Sequence, residues 1–152
     1  MKVVATTASN RLMAKSYREH GVEKWKEGRR HLRHSEWHEA IRSFQETIEF
    51  CSKSTFHSLD LDPPRKHRID EENFADLRDR LPEKAKQLEV GKLYLMSELW
   101  GSVYTLAKYG SQTLKVPARS LFNDSAEAKL AERHATIALT IALRLVNSMP
   151  KD

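Results

Sequence analysis

The chain has 152 residues and a formal net charge of +5, with 26 Lys and Arg residues against 21 Asp and Glu residues. This length predicts one domain with its own hydrophobic core, and the single cysteine excludes an internal disulfide. No run of about 18 apolar residues is present, and residues 1–11 contain too short an apolar stretch for a secretory signal. We therefore expect a cytoplasmic protein without a membrane partner, whose mild basic charge favours a phosphate-bearing ligand only weakly.

Apolar residues recur at helical spacing along most of the chain, and only five Gly and five Pro interrupt them. This pattern predicts an all-α fold, an up-and-down bundle of four or five helices over residues 11–149, after a flexible extension over residues 1–10. The first helix is predicted over residues 11–33, where Gly28 should weaken the last turns by about 1 kcal/mol relative to Ala. In the turn that follows, Ser35 is a good N-cap for the next helix.

The second predicted helix, residues 36–59, has the clearest amphipathic pattern. One of its faces carries the apolar side chains at i, i+3, i+4 and i+7 spacing. These side chains belong to Trp37, Ala40, Ile41, Phe44, Ile48 and Cys51. Because the connecting turn is so short, the first two helices should form an antiparallel αα-hairpin. A loop with two prolines then covers residues 59–72, and one or two helical turns follow over residues 74–80.

The third long helix is predicted over residues 82–109, with Gly110 in the position of a C′ glycine. Its apolar stripe contains Leu88, Leu95, Leu99, Val103 and Leu106. With its flanking residues, this face is broad enough for contacts on two sides, either with other helices or with a second subunit, and it therefore indicates a homodimer. Residues 111–122 form a linker, and the last helix covers residues 126–147 after a capping-box pattern that starts at Asp124.

Two clusters of cations are candidate phosphate-binding sites. The first, here called the hairpin patch, lies at the turn between the first two helices and contains Arg29, Arg30, Arg33 and His34. It could contact RNA phosphates or an acidic protein, but the helix dipole alone also favours cations at a helix C-terminus. The second, the proline-rich loop, contains Arg65, Lys66, His67 and Arg68. Functional residues concentrate in such loops, although a polar surface loop in which His67 makes local hydrogen bonds is the alternative.

Several short patterns along the chain occur in an order that is typical of one protein family. On the second helix, Gln45, Glu49 and Lys53 follow the pattern Gln-x-x-x-Glu-x-x-x-Lys, after an apolar start that contains Ala40. A Pro-x-x-His sequence follows in the loop, at residues 64–67. Glu49 and Lys53 are also an i, i+4 pair in the favourable orientation, so a surface salt bridge explains their spacing equally well.

The end of the third helix carries Lys108-Tyr109, which keeps the charge and the Tyr of an Arg-Tyr-Pro pattern. An Ala-rich helix then closes the chain. In this order the patterns resemble the HEPN domain (higher eukaryotes and prokaryotes nucleotide-binding domain) over residues 14–148. The resemblance implies a HEPN-like helical bundle, with a polar ligand site in the inner cleft. The candidate ligand-binding residues are Glu49, Lys53, Arg65, Lys66, His67, Arg68, Lys108 and Tyr109.

Many HEPN proteins are metal-independent ribonucleases that carry Arg-x(4–6)-His late in the bundle. This chemistry needs a base near the 2′-hydroxyl and a cation on the phosphate. The two full matches in this chain begin at Arg29 and Arg33, in the first hairpin rather than in the later half. In the expected region only Lys129 and His134 approximate the motif. His134 lies on the apolar face of its helix, where a hydrogen-bonded core histidine is the commoner explanation.

The resemblance implies a domain that binds RNA or a nucleotide-related partner, often beside a nucleotidyltransferase in toxin–antitoxin pairs. One alternative is an active metal-independent ribonuclease of the same fold. Another is a helical protein–protein adaptor, since residues 36–50 also resemble half of a tetratricopeptide repeat. His34 and His38 have i, i+4 spacing, but no third ligand accompanies them, so we expect neither a metal nor a cofactor.

Overall fold

The computed structural model describes residues 5–150, and these residues form the predicted all-α bundle. The helices are α1 (Ala8–Arg33), α2 (Trp37–Ser58), α3 (Glu71–Arg80), a 3-10 helix (Glu83–Leu88), α4 (Val90–Tyr109), α5 (Ala118–Leu121) and α6 (Ala126–Ser148). The central helix is α2, which packs against α1, α6 and α4. Within residues 5–150, no helix combines the length and the apolar character that are needed to cross a bilayer.

The predicted apolar face of α2 forms the centre of the core. Ala40, Ile41, Phe44, Ile48 and Cys51 are all buried, whereas Trp37 at the start of the helix is only half-buried. Burial raises the pKa of the Cys51 thiol to about 12, so this cysteine is an inert packing residue. The sequence pattern therefore identified the buried side of this helix correctly.

The α1–α2 hairpin is confirmed, and Gly28 has a different role in it from the one predicted. A Cβ atom at Gly28 would lie 2.6 Å from Cε1 of Phe44, which shows how closely the aromatic ring approaches the backbone of α1. The glycine thus makes room for a core side chain. The predicted N-cap at Ser35 is wrong, because Ser35 adopts a left-handed conformation (φ 59°) and Glu36 precedes the helix without a side-chain cap.

At its N-terminus, α1 begins at Ala8, so the predicted domain boundary at residue 11 falls inside this helix. The Thr7 side chain caps the helix and donates to Asp60, while Thr6 donates to the Ser58 carbonyl. These bonds attach residues 6–10 to the end of α2. Residues 1–4 of the predicted extension lie outside the described residues.

The predicted third helix is wrong in one respect, because it is interrupted at Glu89. This residue adopts a left-handed conformation (φ 54°) and separates the 3-10 helix from α4. The 3-10 helix packs on α6, whereas α4 packs mainly on α2 and also contacts α6. The left-handed backbone at Glu89 does not continue a right-handed helix. The short helix expected over residues 74–80 is also longer, with ten residues.

The orientation of α4 also differs from the prediction. Its buried side chains are Val90, Leu93, Met96, Ser97, Trp100 and Ala107. Three leucines of the predicted stripe face outward instead, with Leu95 66%, Leu99 44% and Leu106 39% exposed. Both sides of this helix are apolar, so the sequence pattern alone did not identify the side that packs on α2. The homodimer that was inferred from this stripe stays a prediction.

The segment between α4 and α6 contains more structure than the predicted linker. Gly110 adopts a positive φ of 76° and ends α4, as predicted for a C′ glycine. Ser111 and Val116 form an isolated antiparallel bridge, and α5 follows. The predicted capping box at Asp124 is wrong, because Ser125 precedes α6 without a side-chain cap and Asp124 accepts a hydrogen bond from the Ala126 amide at 2.8 Å instead.

Candidate functional site

The carboxylate of Glu49 on α2 is the centre of a polar cluster. It lies 3.1 Å from Nδ1 of His67, 3.2 Å from Nζ of Lys53 and 3.4 Å from Nε2 of Gln45. Its side chain is only 15% exposed, so these contacts are partly shielded from water. The structure therefore brings together Glu49 and Lys53 from one helix and His67 from the proline-rich loop.

The proline-rich loop is held on the surface of α4 by contacts of Arg68 and Ile69. Ile69 is buried, and its amide donates to Oγ of Ser97 at 2.9 Å. Gly101 lets the stem of Arg68 lie against the helix, because a Cβ there would be 2.9 Å from Cβ of Arg68. This docking fixes His67 between α2 and α4.

Tyr104 connects His67 to the end of α4, although it was not among the predicted site residues. The rings of His67 and Tyr104 are stacked, with centroids 4.6 Å apart and an interplanar angle of 22°. The Nζ of Lys108 lies 3.4 Å from the hydroxyl of Tyr104 and 5.2 Å from the ring centroid of Tyr109. Tyr104 lies four positions before Lys108 on the same helix, and this i, i+4 spacing was the sequence signal that could have placed Tyr104 in the site.

The neighbouring side chains of Tyr109 and then Tyr104 raise the pKa of Lys108. Within the described residues, no hydrogen bond or ion pair joins Lys108 or Tyr109 to Glu49. The predicted grouping of these residues is therefore indirect. Lys108 reaches the Glu49 cluster through Tyr104 and His67.

The cations of the proline-rich loop differ in how they are paired. Arg65 and Lys66 are exposed, and neither has an ion pair within 4.0 Å among the residues that the structure describes. The Nη1 of Arg68 lies 3.9 Å from Glu98. The cavity beside Glu49 measures only about 10 Å³, so a ligand here would lie on the surface rather than inside a pocket.

In the hairpin patch, half of the predicted residues have structural partners. The Nε of Arg29 lies 3.4 Å from Glu132 of α6, and its guanidinium is 4.8 Å from the centroid of the Trp25 ring. The Nδ1 of His34 lies 2.8 Å from the carbonyl oxygen of Arg30. Arg30 and Arg33 are exposed and have no ion pair within 4.0 Å in residues 5–150. Two cations of the patch are thus available to a ligand.

The candidate catalytic histidine, His134, is hydrogen-bonded within the bundle. The indole Nε1 of Trp100 donates to its Nδ1 at 2.9 Å, so this nitrogen must be unprotonated. Burial, and secondarily Arg133, lowers the pKa of His134. Lys129 is exposed one turn earlier on α6. These contacts favour the structural interpretation of His134 over a catalytic one.

The lowered pKa of His134 gives a prediction for stability. Since the pKa of an unfolded histidine is about 6.5, the unfolded chain binds more protons than the folded protein just below that pH. The free energy of unfolding should therefore decrease as the pH falls from about 7.5 to about 5.5. His57, whose pKa burial also lowers, should contribute in the same direction.

Urea unfolding at both pH values measures this difference. The variant His134→Asn keeps an acceptor near the position of Nδ1 but does not titrate, so its stability should depend less on pH. An unchanged pH dependence in this variant would show that His134 does not contribute to it.

The described residues also form a larger cavity, of about 660 Å³, between the N-terminal part of α1 and the C-terminal part of α6. It contains none of the predicted site residues. The candidate site is therefore a surface rather than this cavity. Comparison of the chain with models of protein families, with curated proteins and with solved structures gave no significant match.

Proposed function

We propose that the protein is a HEPN-like domain that binds RNA, or a nucleotide-related partner, through its phosphate groups. The binding site is a surface made of the proline-rich loop, the end of α4 and two adjoining residues of α2, here called the loop–α4 surface. It contains Glu49, Lys53, Arg65, Lys66, His67, Arg68, Tyr104, Lys108 and Tyr109. The observation that carries this proposal is the stacked pair of His67 and Tyr104 beside the exposed cations Arg65 and Lys66.

The two kinds of side chain on this surface suit the two parts of a nucleotide. Lys and Arg gain affinity for phosphate by releasing condensed counterions, whereas aromatic rings stack on bases of any sequence. Arg65, Lys66 and Lys108 supply the cations. Tyr109 is 58% exposed, and its ring is accessible to a base. An open surface also fits an extended single strand better than an enclosed nucleotide.

The role that we propose for Glu49 is to position other residues of this surface, not to bind the phosphate. A carboxylate repels phosphate, but Glu49 is bonded to Lys53 and His67 and is largely shielded. We infer that it positions His67 for stacking on Tyr104. The proposed role of the Gln-x-x-x-Glu-x-x-x-Lys pattern is thus to hold the loop against α2.

The resemblance to HEPN domains extends the proposal to a cellular context. We propose a component of a toxin–antitoxin or defence system, acting as a homodimer beside a nucleotidyltransferase partner. We also propose binding without cleavage, because Nδ1 of His134 is engaged by Trp100 and Lys129 replaces the arginine of the ribonuclease motif.

Binding of a fluorescent single-stranded RNA to the purified protein, without metal and in EDTA, tests this function. If roughly three to four cations contact phosphates, affinity should fall about 20- to 50-fold between about 50 and about 200 mM salt. The RNA should remain intact. No binding at the lower salt would contradict the proposal and favour an adaptor role. Cleavage that disappears in His134→Ala would instead establish a ribonuclease.

A further inference from the structure

Three potential metal ligands converge at the turn between α1 and α2. They are Nδ1 of His31 and one carboxylate oxygen each of Glu36 and Glu39, and all three atoms lie within 4.8 Å of one another. The Nδ1 of His31 is 3.3 Å from Glu36 and 3.5 Å from Glu39. Adjacent ligand atoms of a tetrahedral zinc site, with bonds of about 2.1 Å, are about 3.4 Å apart. These two distances therefore match the edges of such a site.

The backbone of the turn holds the ligands in place. The amide of Glu36 donates to the carbonyl oxygen of His31 at 2.9 Å, and the amide of His34 donates to the same oxygen at 3.1 Å. Ser35 takes the left-handed conformation that reverses the chain. The hydrogen bond between the main chains of His31 and Glu36 keeps these two residues close together. Glu39, in the first turn of α2, lies beside them.

Permanent cations do not balance the two carboxylates. Among the described residues, no Lys or Arg nitrogen lies within 4.0 Å of Glu36 or Glu39. Their charged neighbours at that distance are the imidazoles of His31 and His38, which carry a charge only when protonated. With both histidines neutral, the cluster holds two negative charges, which one divalent cation would balance.

A further carboxylate lies on the opposite side of the His31 ring. An oxygen of Glu27 is 3.7 Å from Nε2, while Nδ1 points to Glu36 and Glu39. Metal-binding histidines usually direct their second nitrogen to such a carboxylate, which fixes the tautomer and the ring orientation. The other oxygen of Glu27 lies 3.2 Å from Nζ of Lys24, which balances the charge of this carboxylate.

We propose that His31, Glu36 and Glu39 bind a divalent transition metal of the zinc type. One imidazole and two carboxylates suit zinc and its first-row neighbours, and three protein ligands leave a fourth position for water. Glu36 and Glu39 also line a cleft of about 330 Å³ together with His38 and Arg119. The site clamps the end of α1 to the start of α2 and is separate from the loop–α4 surface.

Titration of the untagged, chelator-treated protein with ZnCl₂ in a calorimeter tests the site. We expect one equivalent to bind, and His31→Ala should weaken binding more than about tenfold. Glu36→Gln, which keeps the side-chain shape, should have an effect in the same direction. The control is His34→Ala, because this imidazole lies in the same turn but contacts the Arg30 carbonyl. The zinc affinity of the His34→Ala variant should stay within about twofold of the wild type.

Two further readouts make the result specific. Co²⁺ should give visible absorption bands of tetrahedral intensity, and Zn²⁺ should raise the melting temperature because it binds the folded state. Both effects should be lost in His31→Ala. Wild-type affinity in His31→Ala, or no binding to the wild type at submillimolar zinc, would show that the cluster is only a network of ion pairs. RNA binding in EDTA does not depend on this outcome.

Discussion

Replacement of Phe44 by alanine should lower the free energy of unfolding by about 3–5 kcal/mol, the largest stability effect that we expect in this protein. The side chain is fully buried at the centre of α2, where its ring lies against the backbone of α1 at Gly28. Its removal leaves a cavity between α1 and α2. Urea unfolding followed by circular dichroism measures this change.

Because Phe44 contacts Gly28, the effect of Gly28→Ala on stability should have opposite signs in the wild type and in the Phe44→Ala variant. In the wild type, Gly28→Ala should destabilise, because a Cβ only 2.6 Å from the buried Phe44 ring places overpacking near the upper end of its range of about 1–3 kcal/mol, above the gain of about 1 kcal/mol in helix propensity. In the Phe44→Ala background the ring is absent, so Gly28→Ala should stabilise by up to about 1 kcal/mol. A double-mutant cycle measures the coupling between the two positions.

Gly91 provides the matched control for this cycle. A Cβ there would meet only the Phe74 ring, at an ordinary distance of 3.9 Å. Gly91→Ala should therefore be neutral or stabilising in both backgrounds. If Gly28→Ala stabilised the wild type, the close approach of Phe44 to α1 would be incorrect.

The double variant Arg65→Gln/Lys66→Gln should give the largest loss of RNA affinity. Loss of two phosphate contacts should reduce the slope of log K against log salt by about 1.4, which corresponds to roughly 60-fold weaker binding at about 50 mM salt. Both side chains are exposed and have no ion pair within the described residues, so the fold should not change. Fluorescence anisotropy over a series of salt concentrations measures both quantities.

A second double variant, Lys84→Gln/Lys86→Gln, removes the same charge from the 3-10 helix. Lys84 and Lys86 are exposed, and the ion pair of Lys86 with Glu83 should contribute less than about 1 kcal/mol to stability. We expect RNA affinity to change less than about threefold in this variant. An equal loss in the two variants would mean that the net charge, rather than the loop–α4 surface, determines binding.

The α4 helix shows where sequence patterns stop being informative. Apolar residues occupy most of its circumference, so the stripe with Leu95 and Leu99 and the side with Leu93 and Trp100 are equally plausible as a core face. The structure buries the latter, because α2 and α6 meet α4 on that side. The break at Glu89 was not predicted for a related reason. It depends on the helices against which the 3-10 helix and α4 pack.

The candidate site was predicted in its parts but not in its connections. The i, i+4 spacing of Glu49 and Lys53 is local, and the structure confirms their ion pair at 3.2 Å. The contact of Glu49 with His67 spans 18 positions of the sequence and depends on how the loop docks on α4. The stacking of His67 on Tyr104 depends on the same docking, and it was not predicted.

Residue patterns were enough to predict the helical class, the buried face of α2, the short hairpin and the end of α4 at Gly110. These features depend on the spacing of residues within one element, and on local backbone preferences. The packed helices were needed to show which side of α4 is buried, why Gly28 must lack a side chain, and which residues surround Glu49 and His31. These features depend on contacts between elements, because side chains distant in sequence become neighbours only when the helices pack.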